Sequence, residues 1–388
     1  MSSPPKEQRI AELDGIRGLA ILMVLVFHFN AFVPEGLGGL KGIGALARCG
    51  WCGVDLFFAL SGFLITGILL DASGPGSAVH FYKRRGLRIL PLYYFAIAVF
   101  FALAYVKGRP VPLRTESWFW FHLSNWYTAY SPTMYRQITH FWSLAIEEQF
   151  YLAWPLVVWK FPRRIFPWLF ATIVLACVAL RNLPAAQSLG SAYPNTLYRL
   201  TPFRIDGLVM GAIGALIYRN RDTWRITRYL GVGAAAAAAA FAGIVIVTRD
   251  LTPHSPAMTR FGSAALALWF ASLVTWVACH AGENGVQFRT LRSNFLRSFG
   301  KYSYCIYVIH IAVFSNALRS IDDFIGGHRA GALASGVICV SLIYVIAWCS
   351  WHGFEKRVLA YGSTPRSGRL PQSDLPCSCL SISGGPLK

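Results

Sequence analysis

Ten long apolar stretches constrain the fold of this chain more than any other feature of its sequence. They lie near residues 18–34, 53–70, 88–106, 145–161, 165–181, 203–218, 229–248, 261–281, 299–318 and 332–353. A helix needs about 20 apolar residues to cross the hydrocarbon core of a bilayer. A mean hydropathy of +0.46 and a charged fraction of only 14% argue against an ordinary soluble domain. We therefore predict an all-α, polytopic membrane helix bundle with about ten transmembrane helices.

The distribution of basic residues predicts how this bundle is oriented. When the connections between the apolar stretches are assigned alternately to the two sides of the membrane, 23 of the 36 lysines and arginines fall on the side that holds both termini. Cytoplasmic loops carry the excess of Lys and Arg, so both termini are predicted to be cytoplasmic, in the inner (plasma) membrane. The net charge of +19 thus reflects topology. The sequence has no basic run interleaved with exposed aromatics, so it does not indicate binding to nucleic acid. The long polar N-terminus predicts no cleavable signal peptide.

The end of the chain and two cysteines allow further expectations. Residues 361–388 are rich in Ser, Pro and Gly, so we predict a membrane domain over 1–360 and a disordered cytoplasmic tail over 361–388. Cys49 and Cys52 have a redox-like spacing but lack a βαβ context. A local disulfide in an outer loop and a pair of reduced thiols both remain open.

The first apolar stretch, LDGIRGLAILMVLVFHF, carries polar residues that a membrane span normally excludes. Asp14 and Arg17 stand at its start and His28 lies deep inside it. A charge near the bilayer centre costs roughly 2.5–3.5 kcal/mol, so such residues suggest function. Eleven residues of helix place Arg17 and His28 within roughly 20° of one face and about 16 Å apart, which predicts a shared groove. Alternatively, His28 only hydrogen-bonds a neighbouring helix.

Five further segments place polar residues in or beside apolar stretches. In chain order these are GVDLFFALSGFLIT with Asp55 and Ser61, FYKRRGLRILP with Arg85 and Arg88, FWSLAIEEQFYLAWPL with Glu147 and Glu148, FRIDGLVMGAIGAL with Asp206, and GKYSYCIYVIHIAVF with Tyr304, Tyr307 and His310. Helix packing, capping or topology explains each of them singly. Arg85 and Arg88 share one helix face and can also clamp phosphate groups as planar donors. Together the segments predict a polar reaction chamber or a permeation path, without a metal.

In order and spacing, these six segments resemble the membrane-bound acyltransferase-3 family of bacterial O-acyltransferases, over roughly residues 9–355. The resemblance implies transfer of an acyl group, commonly acetyl, from cytoplasmic acyl-coenzyme A to a hydroxyl of a carbohydrate, polysaccharide or other sugar-bearing acceptor. Some members carry an additional C-terminal SGNH-type hydrolase domain. Because only a short tail follows Phe354 here, we expect direct transfer without that domain.

The resemblance and the chemistry together suggest roles for these side chains. An alcohol that attacks a thioester needs a base with a pKa near neutrality, which makes His28 the candidate base. A transient acyl-histidine is an alternative. Three groups of residues are expected around it: Arg17, Arg85 and Arg88 on the coenzyme A phosphates; Glu147, Glu148 and Asp55 on sugar hydroxyls or on His28; and Asp14, Ser61, Asp206, Tyr307 and His310 in the substrate chamber.

A proton-coupled transporter or exporter is the rival interpretation, because intramembrane carboxylates and histidines also relay protons. The sequence shows no evident duplicated half, and an arginine pair suits a phosphate-bearing donor better. Consumption of acyl-coenzyme A distinguishes the two.

Overall fold

A computed structural model describes residues 10–32, 43–72, 76–131, 135–220, 224–325 and 329–363. Within these ranges the chain forms helices and no β-strand. Its long helices are α1 (Ala11–Phe32), α2 (Gly53–Asp71), α3 (Ser77–Val106), α4 (Phe141–Lys160), α5 (Phe166–Asn182), α6 (Asp206–Arg219), α7 (Trp224–Thr248), α8 (Ser263–Cys279), α9 (Asn294–Ile325) and α10 (Arg329–Ser350). Each predicted apolar stretch coincides with one of these helices, which confirms an all-α bundle.

Short helical segments make most of the connections. They are Ile43–Arg48, Cys49–Cys52, Leu113–Trp120, Ser124–Tyr130, Arg163–Ile165, Pro184–Ala192, Thr196–Arg199, Thr201–Phe203, Met258–Gly262, Val286–Leu291, Trp351–Glu355 and Lys356–Ser363. Cys49 and Cys52 are free thiols in the first 3₁₀ turn, so the structure has no disulfide there. Of the predicted tail, residues 364–388 lie outside the described part of the chain, and the last described helix continues to Ser363.

Seven segments of the described chain are long and apolar enough to cross a membrane, and they include α1, α2, α3, α5, α7, α8 and α10. The other three long helices do not meet both criteria. Helix α6 has only 14 residues, and α4 and α9 carry charged side chains along their length. Helices α4 and α9 are polar because they line the internal cleft described below. The chain is therefore a multi-pass membrane protein.

Glycines bring the helices of the core into close contact. Helix α1 packs along α9, and a Cβ added at Gly18 would overlap the carbonyl oxygen of Leu296. Helix α2 packs along α6, and a Cβ at Gly211 would overlap the carbonyl oxygen of Ala59. Small residues at such crossings let two backbones approach directly. The glycines of the second and sixth stretches, Gly62 and Gly211, therefore serve helix packing.

Candidate active site

A cleft with about 690 Å³ of empty space, part of it open to solvent, lies among helices α1, α2, α3, α4 and α9. Its wall contains three arginines, two glutamates and five hydroxyl groups among apolar side chains. The lining residues are Arg17, Val54, Phe57, Phe58, Ser61, Arg85, Arg88, Ile89, Ser143, Leu144, Glu147, Glu148, Ser303, Tyr304 and Tyr307. The structure therefore brings five of the six sequence segments to one cavity.

The three predicted phosphate-binding arginines all line this cleft. The guanidinium carbon of Arg85 lies 3.9 Å from the centroid of the Tyr151 ring, which holds the guanidinium in place by a cation–π contact. The Nε atom of Arg85 is buried and lacks a hydrogen-bond partner in the described part of the chain. Arg17 lies 3.9 Å from a carboxylate oxygen of Asp14, one helical turn away. The three guanidinium groups exceed the two carboxylates of the wall, and this excess of positive charge favours an anionic ligand.

The two adjacent glutamates occupy different environments in the cleft. Glu147 accepts hydrogen bonds from the Ser61 hydroxyl (3.0 Å) and from the Tyr151 hydroxyl (3.1 Å). Glu148 also lines the cleft, but no hydrogen bond to its carboxylate occurs among the described residues. Ser61 and Tyr151 therefore hold Glu147, whereas the carboxylate of Glu148 is available to a ligand.

Tyr307 and Ser143 both line the cleft, and their hydroxyl oxygens are 2.6 Å apart. The Tyr307 hydroxyl also lies 3.2 Å from the backbone carbonyl oxygen of His140. This contact ties the middle of α9 to the start of α4. Both hydroxyls are buried, so the pair forms a polar wall between packed helices.

A group of three histidines adjoins this wall, contributed by α1, α9 and the turn before α4. The Nε2 atom of His310 lies 3.3 Å from the Nδ1 atom of His28, and their ring centroids are 4.8 Å apart. The centroids of His140 and His310 are also 4.8 Å apart. His310 is fully buried and His140 is 5% exposed, whereas His28 is half-buried. Only His28 of the three therefore has a partly exposed side chain.

The structure differs from the groove that the sequence predicts for α1. Arg17 lines the cleft, but His28 does not. Tyr307 connects the two regions, because its side chain lines the cleft and its carbonyl oxygen lies 2.7 Å from the Nδ1 atom of His310. The sequence alone could not predict this arrangement, because it does not position the polar residues of α9 relative to α1.

Asp55 and Asp206 take part in two buried ion pairs and do not line the cleft. A carboxylate oxygen of Asp55 lies 2.7 Å from the guanidinium of Arg204, and one of Asp206 lies 2.7 Å from that of Arg181. All four side chains are at most 3% exposed. Neither aspartate contacts His28, whose hydrogen-bond partners among the described residues are the Val24 carbonyl and His310.

Sequence reasoning missed four residues that shape this region, namely His140, Tyr151, Arg181 and Arg204. The two arginines entered only as charges in the topology. A signal for His140 existed, because it directly precedes the FWSLAIEEQFY segment. Tyr151 stands four residues after Glu147, on the same helix face.

Comparison with known proteins places this architecture in a family. A model for the acyltransferase-3 family, described as an acyltransferase domain, matches residues 10–352. YrhL of Bacillus subtilis, whose name proposes a peptidoglycan O-acetyltransferase, is 29% identical over 93% of this chain and 56% of its own length. The O-acetyltransferase OatA of Staphylococcus aureus is 27% identical over 79% of this chain and 51% of its own length.

The acyltransferase MdmB of Streptomyces mycarofaciens is 27% identical over 88% of this chain and 89% of its own length. The chain spans about half the length of the first two relatives. No solved structure matches significantly. Since the family model covers nearly all of the helix bundle described above, the chain belongs to the acyltransferase-3 family of membrane proteins.

Proposed function

We propose that this protein transfers an acyl group, most simply acetyl, from acyl-coenzyme A to a hydroxyl group of a carbohydrate acceptor. In this reaction the acceptor oxygen forms a bond to the acyl carbon and the carbon–sulfur bond of the thioester breaks. The hydroxyl proton goes to a base and then to the leaving thiolate. The products are an ester and free coenzyme A. The observation that carries the proposal is a cleft lined by three arginines and by Tyr307, whose carbonyl oxygen contacts His310, the partner of His28.

The arginine side of the cleft suits the donor. Coenzyme A carries several phosphate charges, and guanidinium groups bind phosphate oxygens through paired, charge-assisted hydrogen bonds. Arg17, Arg85 and Arg88 supply three such groups on two helices that line the cleft. By the positive-inside distribution, their helix ends face the cytoplasm, where acyl-coenzyme A is found. We also propose that both termini lie in the cytoplasm and that the protein resides in the inner membrane.

His28 is assigned as the base that receives the hydroxyl proton. A neutral imidazole has one ring nitrogen with a free lone pair, and a positioned base of this kind contributes about 10²–10⁴-fold to a rate. Among the described residues, both hydrogen-bond contacts of His28 engage its Nδ1 atom, which leaves the Nε2 atom for the acceptor. Tyr307 and His310 are three residues apart, about 4.5 Å along α9, so the cleft wall and the partner of His28 belong to one helical turn.

The carboxylates divide into a ligand-binding group and a structural group. We assign Glu148 to the substrates, because its carboxylate lines the cleft without a hydrogen bond from the described residues. Glu147 orients the cleft wall through Ser61 and Tyr151. Asp55 and Asp206 hold the bundle together through their arginine partners.

The acceptor class rests on the relatives. The name of YrhL refers to peptidoglycan, a sugar polymer, and OatA is named an O-acetyltransferase. A hydroxyl-bearing carbohydrate is therefore the acceptor we propose for this chain.

The test is acyl transfer by the purified protein in proteoliposomes. Radiolabelled acetyl-coenzyme A is supplied with a panel of peptidoglycan fragments, polysaccharides and glycosides, and both free thiol and alkali-labile ester are measured. Empty liposomes give the background hydrolysis. The proposal predicts release of one thiol for each ester formed, only when an acceptor is present. Intact acetyl-coenzyme A with every acceptor, together with proton-driven movement of a solute across the vesicles, would replace the proposal with a transporter.

A further inference from the structure

The contact between His28 and His310 has a defined direction, which follows from the partners of each ring. His310 lies on α9 with its Nδ1 atom 2.7 Å from the carbonyl oxygen of Tyr307. A carbonyl oxygen only accepts hydrogen bonds, so Nδ1 of His310 carries the proton. The Nε2 atom of a neutral His310 then has a lone pair, and this atom is the one that lies 3.3 Å from His28.

The partners of His28 agree with this assignment. Its Nδ1 atom lies 3.0 Å from the carbonyl oxygen of Val24, which again only accepts. Nδ1 of His28 therefore carries the proton and shares it between Val24 and the Nε2 atom of His310. In a neutral imidazole the other nitrogen, Nε2, is then unprotonated. Both contacts favour the same form of His28, with its free lone pair on Nε2.

We propose that His310 is a positioning residue that keeps His28 in the Nδ1–H form, with Nε2 ready to accept the hydroxyl proton. The inference rests on the proposed function for its meaning in catalysis, but the protonation pattern itself is independent of any reaction. His310 is fully buried, so it acts through His28 rather than on a substrate. Partners that fix the tautomer and orientation of a functional histidine are a general device in enzymes.

The same contact stabilises His28 after it accepts a proton. The imidazolium form of His28 donates from Nδ1 to the lone pair of His310, and this hydrogen bond becomes charge-assisted. A neutral imidazole here takes the place that a carboxylate holds in many catalytic groups. Because the partner is a neutral imidazole in a buried environment, no second charge has to be desolvated beside His28.

His140 offers a matched control for this arrangement. It is buried and lies as close to the ring of His310 as His28 does, with centroids 4.8 Å apart. Its Nε2 atom lies 3.3 Å from the carbonyl oxygen of Val308, and it makes no hydrogen bond to His28. A substitution at His140 therefore removes a buried histidine from the same group without removing the acceptor of His28.

The first test is ¹⁵N solid-state NMR of the histidine-labelled protein in lipid, with the His28 signals assigned by their loss in His28→Gln. We expect a protonated Nδ1 and an unprotonated Nε2 for His28 in the wild type and in His140→Gln. In His310→Leu a population protonated at Nε2 should appear. A His28 protonated at Nε2 in the wild type, or an unchanged spectrum in His310→Leu, would overturn the inference.

The second test is steady-state acyl transfer by the same variants. His310→Leu is expected to lower kcat about 10–100-fold, as loss of such partners does at other sites, with KM for acyl-coenzyme A nearly unchanged. His310→Gln keeps an oxygen that accepts from His28 and should restore most of the rate. Equal losses in both variants, or a change in KM alone, would refute the positioning role. If no variant or wild type transfers an acyl group, the proposed function fails, while the NMR result still decides the role of His310.

Discussion

The buried pair of Asp55 and Arg204 leads to a prediction that separates a structural aspartate from a catalytic one. Their side chains are 3% and 1% exposed and lie 2.7 Å apart. Arg204 also donates to the Ser263 hydroxyl at 2.9 Å. Removal of one partner from a buried ion pair leaves an uncompensated charge and typically costs about 3–5 kcal/mol. We expect Asp55→Leu and Arg204→Met each to lose free energy of unfolding of that size.

The double substitution should recover most of this loss. Apolar side chains of similar volume often replace a buried ion pair with no net cost, and one oxygen of Asp55 already lacks a partner in the described structure. Unfolding in mixed lipid and SDS micelles measures the free energies, and acyl transfer per folded molecule measures activity. We expect the double variant to lie within about 2 kcal/mol of the wild type and to remain active.

Two results would refute this account of Asp55. A double variant that is folded but inactive would make Asp55 a catalytic residue. A single Asp55→Leu variant with unchanged stability would show that the pair contributes nothing to the fold.

Three further predictions concern the cleft and the helix contacts. Arg85→Ala should raise KM for acetyl-coenzyme A about 10–100-fold, because one charge-assisted contact is lost. KM for acetyl-pantetheine, which lacks those phosphates, should not change. Equal effects on both donors would contradict a phosphate role. Glu148→Gln should weaken substrate binding without loss of stability. Glu147→Gln should lower the thermal stability of the detergent-solubilised protein, because two hydroxyls donate to Glu147. The opposite pattern would refute the assignment of Glu148 to ligand binding and of Glu147 to the cleft wall. Gly211→Ala should destabilise the bundle by about 1–3 kcal/mol, because the added Cβ overlaps the backbone of Ala59. Gly243→Ala should not, because no atom lies within 4 Å of its new Cβ. Unfolding of both variants in SDS measures the two free energies.

The sequence was sufficient to predict the fold class and the arginine side of the cleft. Hydropathy is a local property, so each apolar stretch could be assigned to a helix without knowledge of its neighbours. Arg85 and Arg88 could be paired because they stand three residues apart on one helix. The same local reasoning placed Glu147 and Glu148 on a single apolar helix.

Contacts between distant segments could not be predicted from one sequence. The partner of His28 is 282 residues away at His310, and the partner of Asp55 is 149 residues away at Arg204. Which helix faces touch depends on packing angles and on glycine crossings, which periodicity does not determine. For this reason the sequence did not show that Arg17 lines the cleft without His28, or that Asp55 pairs with Arg204.

The most direct test of the account is the rate of acyl transfer in His28→Gln compared with His280→Gln. His280 forms the same kind of local contact as His28, from Nδ1 to the carbonyl oxygen of Trp276 four residues earlier, but it stands outside the cleft and the histidine group. In proteoliposomes with acetyl-coenzyme A and an active acceptor, the account predicts a fall of about 10²–10⁴-fold in kcat for His28→Gln. It predicts near wild-type transfer for His280→Gln. Full activity in a folded His28→Gln variant would contradict the role of His28 as the base.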